Sequence, residues 1–179
     1  MSVSLNRQRL GHFLLFSALC TMVFFFRLLP LVGASAHWPG PDLIVLLGFA
    51  WVTRRPDYMP VLLFAAATFL GDLLFMRPPG LWAAISVSGL EFLRARAAFS
   101  RELPFAAEWA MVSGVFLAMI VAQRIVLALF LLPRPDPGMD GILWLATVAA
   151  YPAVVLACDL AFGVRKVAPG AVDDLGHRI

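Results

Sequence analysis

The chain has 179 residues, of which 61% are hydrophobic and 14% charged, with a net charge of +3 and a mean hydropathy of +0.87. Soluble domains carry roughly 25% charged residues, so a water-soluble fold is excluded, and the length suits one helical bundle with no second domain. The basic balance does not point to nucleic acid, which needs a folded basic surface; it points to topology and contact with anionic membrane lipid.

With Pro, Gly and charge as punctuation, hydropathy predicts helices near 11–32, 41–53, 59–76, 80–97, 104–132 and 141–164. The fold class expected is therefore an all-α integral membrane protein, a compact bundle of about six transmembrane helices over residues 1–164, with a short cytoplasmic tail at 165–179. The first helix follows Arg7 and Arg9 but is too long for a signal peptide and contains Arg27, so it is read as retained. The second and third are short. Fusing them across TRRPD would set Arg54 and Arg55 at the bilayer centre, at about 2.5 to 3.5 kcal/mol each, so two short helices and a tight turn are preferred.

Positive charge sets the orientation. Arg7, Arg9, Arg54, Arg55, Arg94, Arg96, Arg101, Arg165, Lys166 and Arg178 fall on one side of a six-span arrangement, and only Arg77 and Arg134 on the other. Both termini are expected in the cytoplasm. Trp38, Trp82 and Trp144 fall at outer ends and Trp51 and Trp109 near inner ends, as interfacial indoles should.

Catalytic signatures are missing: there is no HExxH, GxSxG, Walker glycine loop or CxxC. His12, His37 and His177 are scattered, and the single lysine, Lys166, lies in the tail, so neither a metal site nor a nucleophile with its base can be built. No cofactor and no enzymatic role is expected. Cys20 and Cys158 lie in apolar runs and read as small core residues.

Five ionisable residues fall within or beside the spans: Arg27, Asp72, Glu91, Arg124 and Asp159. Each needs a partner or a wet cavity. Arg27 and Asp72 each lie about five residues from an outer helix end, which predicts either an ion pair between them or an Arg27 that snorkels outward. Arg124 is deeper. It either bonds helix carbonyls or Asp72, or lines a polar pocket for an acidic group. Asp159 is expected to pair with Arg165 or Lys166, and Glu91 with Arg94 three residues on. Pro152, inside the last helix, should kink it and free a carbonyl for another donor.

The stretches PDLIVLLGFAWVTRRPDYMP and FAAATFLGDLLFMRPPGLWA resemble the central signature of the MreD family, the rod shape-determining membrane proteins of bacteria. The matching positions are Pro41, Trp51, Pro56, Asp72 with Leu73, and Gly80, followed by Tyr151 and Pro152 in the last helix and the basic exit Arg165 and Lys166. The resemblance implies a multi-pass protein of the bacterial inner membrane, a non-enzymatic part of the cell-elongation machinery. It would bind MreC and work with MreB, RodA and a penicillin-binding transpeptidase in lateral peptidoglycan synthesis. It supplies no catalytic residue. Arg27, Asp72, Arg124 and Asp159 remain the candidates for intramembrane polar contact or partner binding. A competing reading is a small-molecule binding or transport protein like the S components of energy-coupling-factor transporters, which are bundles of similar size.

Overall fold

A computed structural model describes residues 2–29, 39–56, 59–97 and 104–162, with no side chains given for 2–9 and 161–162. The predicted tail at 165–179, and with it Arg165 and Lys166, lies outside these residues, as do His37 and Trp38. Six helices and no strand occur among the described residues: α1 Ser2–Leu28, α2 Leu43–Arg54, α3 Val61–Leu74, α4 Leu81–Ala95, α5 Phe105–Leu129 and α6 Pro137–Phe162.

Helix α2 is the hub. Its sequence LIVLLGFAWVTR is apolar all round, and eleven of its 12 residues, Ile44 to Arg54, are buried, the pattern of a helix surrounded by others. It packs on α6, α4, α3 and α1, while α3 pairs with α4 and α1, and α5 lies against α4 and α6. Gly48 is the close-approach point: a Cβ there would sit 2.3 Å from the ring of Phe64, so α3 reaches the hub only because that side chain is missing.

The flanking helices bury one stripe and leave the rest bare. On α1 the stripe is Phe16, Cys20 and Phe24; on α6 it is Thr147, Tyr151, Val155 and Cys158, at the three- and four-residue spacing of one helix face. Both cysteines are free and buried, as core residues should be. The outer faces carry Leu14, Ile125, Leu156 and Leu160, each more than half exposed. An exterior so apolar is a surface for lipid or for another chain.

Three helices are long and apolar enough to cross a membrane: Leu10–Leu28, Phe105–Leu129 and Pro137–Leu160. The other three have 12, 14 and 15 residues, or roughly 18 to 23 Å at about 1.5 Å per residue. That is less than a hydrocarbon core of about 30 Å. Both ends of α2 are buried in protein, at Asp42 and Arg54, and the backbone groups there need partners.

Candidate functional site

Two polar clusters meet that need, one at each end of α2. At its start, Asp42 is the N-cap: its Oδ1 accepts from the Val45 amide at 3.3 Å. Its Oδ2 accepts from the Trp82 indole at 2.9 Å, and its own amide donates to Thr147 Oγ1 at 3.1 Å. One aspartate thus joins α2, α4 and α6. Arg77 Nη1 lies 3.8 Å from the same carboxylate.

Asp72 works the same way for α4. Its Oδ2 accepts from the amides of Gly80, at 3.1 Å, and Ala83, at 3.2 Å, so a residue of α3 caps the neighbouring helix. Gly80 has φ +84°, a left-handed conformation that lets its N–H turn back toward Asp72. Two of the positions on which the family resemblance rests are thus bonded to each other.

The expected ion pair between Arg27 and Asp72 does not form. Equal depth along two helices says nothing about rotation about each axis, and Asp72 is turned inward, with no exposed surface. Arg27 Nη2 instead donates to the carbonyls of Gly40, at 3.2 Å, and of Pro41. Its guanidinium carbon stands 5.5 Å from the centre of the Phe75 ring, which Arg77 approaches at 5.9 Å.

At the other end of α2 the sequence reading needs a larger correction. Arg54 was expected as a loop charge, but it is 3% exposed and the last residue of the helix. Its Nη1 donates to Glu108 Oε1 of α5 at 2.9 Å, and also to the Ala50 carbonyl and Thr53 Oγ1, each at 3.3 Å. Tyr151 of α6 donates to the same Glu108 oxygen at 2.6 Å. Asp159, expected to pair with the tail, has its Oδ1 3.4 Å from Arg54 Nε. A buried arginine, a buried glutamate and a tyrosine thus fasten α2, α5 and α6 together. Glu108 carried no signal in the sequence, since its partner lies 54 positions away.

The remaining candidates are structural clips. Arg124 of α5 pairs with Asp140 of α6 and donates to the Pro135 carbonyl at 3.2 Å, so its carboxylate partner is Asp140 and not Asp72. It clamps a hairpin in which α6 starts ten residues before Thr147, roughly 15 Å beyond the Asp42 cluster. Glu91 lies 3.2 Å from Arg94, as expected, and Arg94 Nη2 donates to the Met59 carbonyl at 2.6 Å. Of the helix-breaking residues, Pro41 offers its carbonyl to Arg27 and Pro56 accepts from the Met59 amide at 3.4 Å. Pro152 sits inside α6, and the carbonyl it frees, that of Val148, takes the Trp109 indole N–H at 2.9 Å.

Four of the five indoles lie among the described residues, and two of them are buried among the helices. Trp51 and Trp82 are 1% and 3% exposed; Trp51 meets the Phe16 ring edge-on at 5.3 Å. Trp144 donates to the Ser113 carbonyl at 3.1 Å, joining α5 to α6. Among the described residues no group of three His, Cys, Asp or Glu side chains could hold a metal ion.

Fold and site together define a class: an all-helical protein, three of whose helices can cross a membrane, whose buried charges fasten and cap its own helices. Comparisons with family models, curated proteins and solved structures return no match to the chain.

Proposed function

We propose that the protein is a non-enzymatic, multi-pass component of the bacterial inner membrane, with six crossings and both termini in the cytoplasm, that acts by binding other membrane proteins. The observation that carries this reading is the use of the buried polar groups. Asp42, Asp72, Arg54 and Glu108 are engaged with helix ends or with one another, so the main surface left for interaction is the apolar exterior. Helix association in lipid uses such surfaces. Helix α2 fits a crossing arrangement despite its 12 residues because protein surrounds it, and with the buried Arg54 set aside a nine-to-two distribution of cations supports the orientation.

Within that class the resemblance to the MreD family favours a role in cell elongation, with MreC as the direct partner and MreB, RodA and a penicillin-binding transpeptidase in the larger assembly. The Asp72 to Gly80 bond supports it modestly, since it gives a physical reason for the spacing on which the resemblance rests. Affinity purification of the full chain from its native membrane tests the proposal. Recovery of a single-span coiled-coil protein, together with loss of rod shape on depletion, is the expected result. Recovery of a transporter ATPase module with a tightly held small molecule would replace this reading with that of an S component.

A further inference from the structure

Helices α1 and α6 both lean on α2, and a groove of about 440 Å³ runs between them. Its walls are nearly all apolar: Leu19, Val23 and Phe26 on one side, Val154 and Ala157 on the other, with Leu47 as floor. From Leu19 to Arg27 it follows eight residues of α1, roughly 12 Å. At one end it stops at a guanidinium, because Arg27 lines it together with Gly40 and Pro41.

Arg27 has unusual company for a cation in so apolar a chain. Its bonded partners are two neutral carbonyls and an aromatic face, and among the described residues no carboxylate lies within ion-pair distance of it. The nearby aspartates are committed elsewhere: Asp42 and Asp72 each hold a helix N-terminus, where the positive end of the helix dipole offsets their charge. Arg27 also lines a second, smaller pocket with Asp42 and Arg77, where the Arg77 guanidinium already stands 3.8 Å from the Asp42 carboxylate. A half-buried cation without a counter-charge, placed at the mouth of an apolar channel, matches a ligand with an anionic head and a hydrocarbon tail.

We infer that the groove between α1 and α6 seats an acyl chain of an anionic phospholipid whose phosphate is held by Arg27. A neutral lipid or a second protein's helix would fill the apolar part but leave the arginine uncompensated. This site is independent of the partner proposed above, since it requires only that the exterior be in lipid.

The test is native mass spectrometry of the full-length protein, purified in detergent and offered equal phosphatidylglycerol and phosphatidylcholine. Retention of phosphatidylglycerol over phosphatidylcholine by about fivefold is expected, the discrimination one arginine supplies toward anionic lipid. Arg27→Gln should bring the ratio near one and Arg27→Lys should largely keep it. Ala157→Phe, at an exposed position on the groove wall, should abolish retention of either lipid without touching the arginine. Excess inorganic phosphate should not displace the bound lipid. Equal retention of the two lipids by the unaltered protein, an unchanged ratio in Arg27→Gln, undiminished retention in Ala157→Phe, or displacement by phosphate alone would each overturn the inference. A photo-crosslinking residue at Met22, also in the groove, should yield a lipid-sized adduct in native membranes; a protein-sized adduct would assign the groove to a partner helix instead.

Discussion

The indole of Trp109 on α5 donates to the carbonyl of Val148 on α6 at 2.9 Å, and that carbonyl is the one left without its helical donor by Pro152, four residues later. A helix break on one element is thus answered by a side chain of its neighbour. Trp109→Phe should lower stability in detergent by about 1 to 2 kcal/mol, through one lost hydrogen bond and one orphaned carbonyl. Adding Pro152→Ala, which restores an amide N–H at that place, should recover much of the loss. A thermal-denaturation double-mutant cycle reads the coupling directly. Simple additivity would mean the indole is not the carbonyl's substitute donor.

Arg54 and Glu108 form a contact costly to break. Removing one member takes the nearest opposite charge from a buried group, so Arg54→Gln or Glu108→Gln alone should destabilise by about 1 to 3 kcal/mol, the Glu108 variant less because Asp159 stays 3.4 Å from Arg54. The double variant should be less damaged than the sum of the two. Denaturation midpoints of the three variants decide it, and equal, independent losses would show that the pair is not coupled.

How far the sequence disclosed this arrangement depends on whether a residue's role is local. Pro152 could be read outright, because the missing N–H and the freed carbonyl follow from covalent structure. Asp72 and Gly80 were named through the family resemblance, but which helix end the carboxylate caps depends on how α3 turns toward α4. The dipeptide Arg54–Arg55 before a proline looks like a loop, and only the arrival of Glu108 and Tyr151 from two distant helices makes room for Arg54 inside. Helix rise gives depth and not azimuth. For that reason Arg27 and Asp72 were matched wrongly while Glu91 and Arg94, on one helix, were matched correctly.

Close approach at Gly48 should be more sensitive than at Gly89. A methyl at position 48 meets the Phe64 ring at 2.3 and 2.6 Å, and that ring is fully buried, so Gly48→Ala should cost about 1 to 3 kcal/mol through overpacking. At position 89 the nearest atom is Met119 Sδ, 2.8 Å away, on a side chain flexible enough to yield. Gly89→Ala should be the milder substitution. Melting temperatures of the two alanine variants compare them, and the reverse order would contradict this packing.

The cap on α4 gives a graded series. Asp72→Ala removes the acceptor for two amides and should cost about 1 to 2 kcal/mol, whereas Asp72→Asn keeps one oxygen and should cost less. Gly80→Ala imposes a left-handed backbone on a residue with a Cβ and should cost about 1 to 2 kcal/mol. Because Asp72 and Gly80 share one bond, the losses of Asp72→Ala and Gly80→Ala should add to less than their sum in chemical denaturation. Asp72→Ala and Arg27→Gln, which share none, should add.

The most direct trial of the whole account is cysteine accessibility in intact cells, with Cys20 and Cys158 replaced by alanine and single cysteines placed at Arg77, Arg134, Arg55 and Arg96. The account predicts that a membrane-impermeant maleimide labels positions 77 and 134 from outside, and reaches 55 and 96 only after permeabilisation. Labelling of all four from the same side would contradict six crossings with the arginine-rich face turned inward, and with it the membrane partner role proposed here.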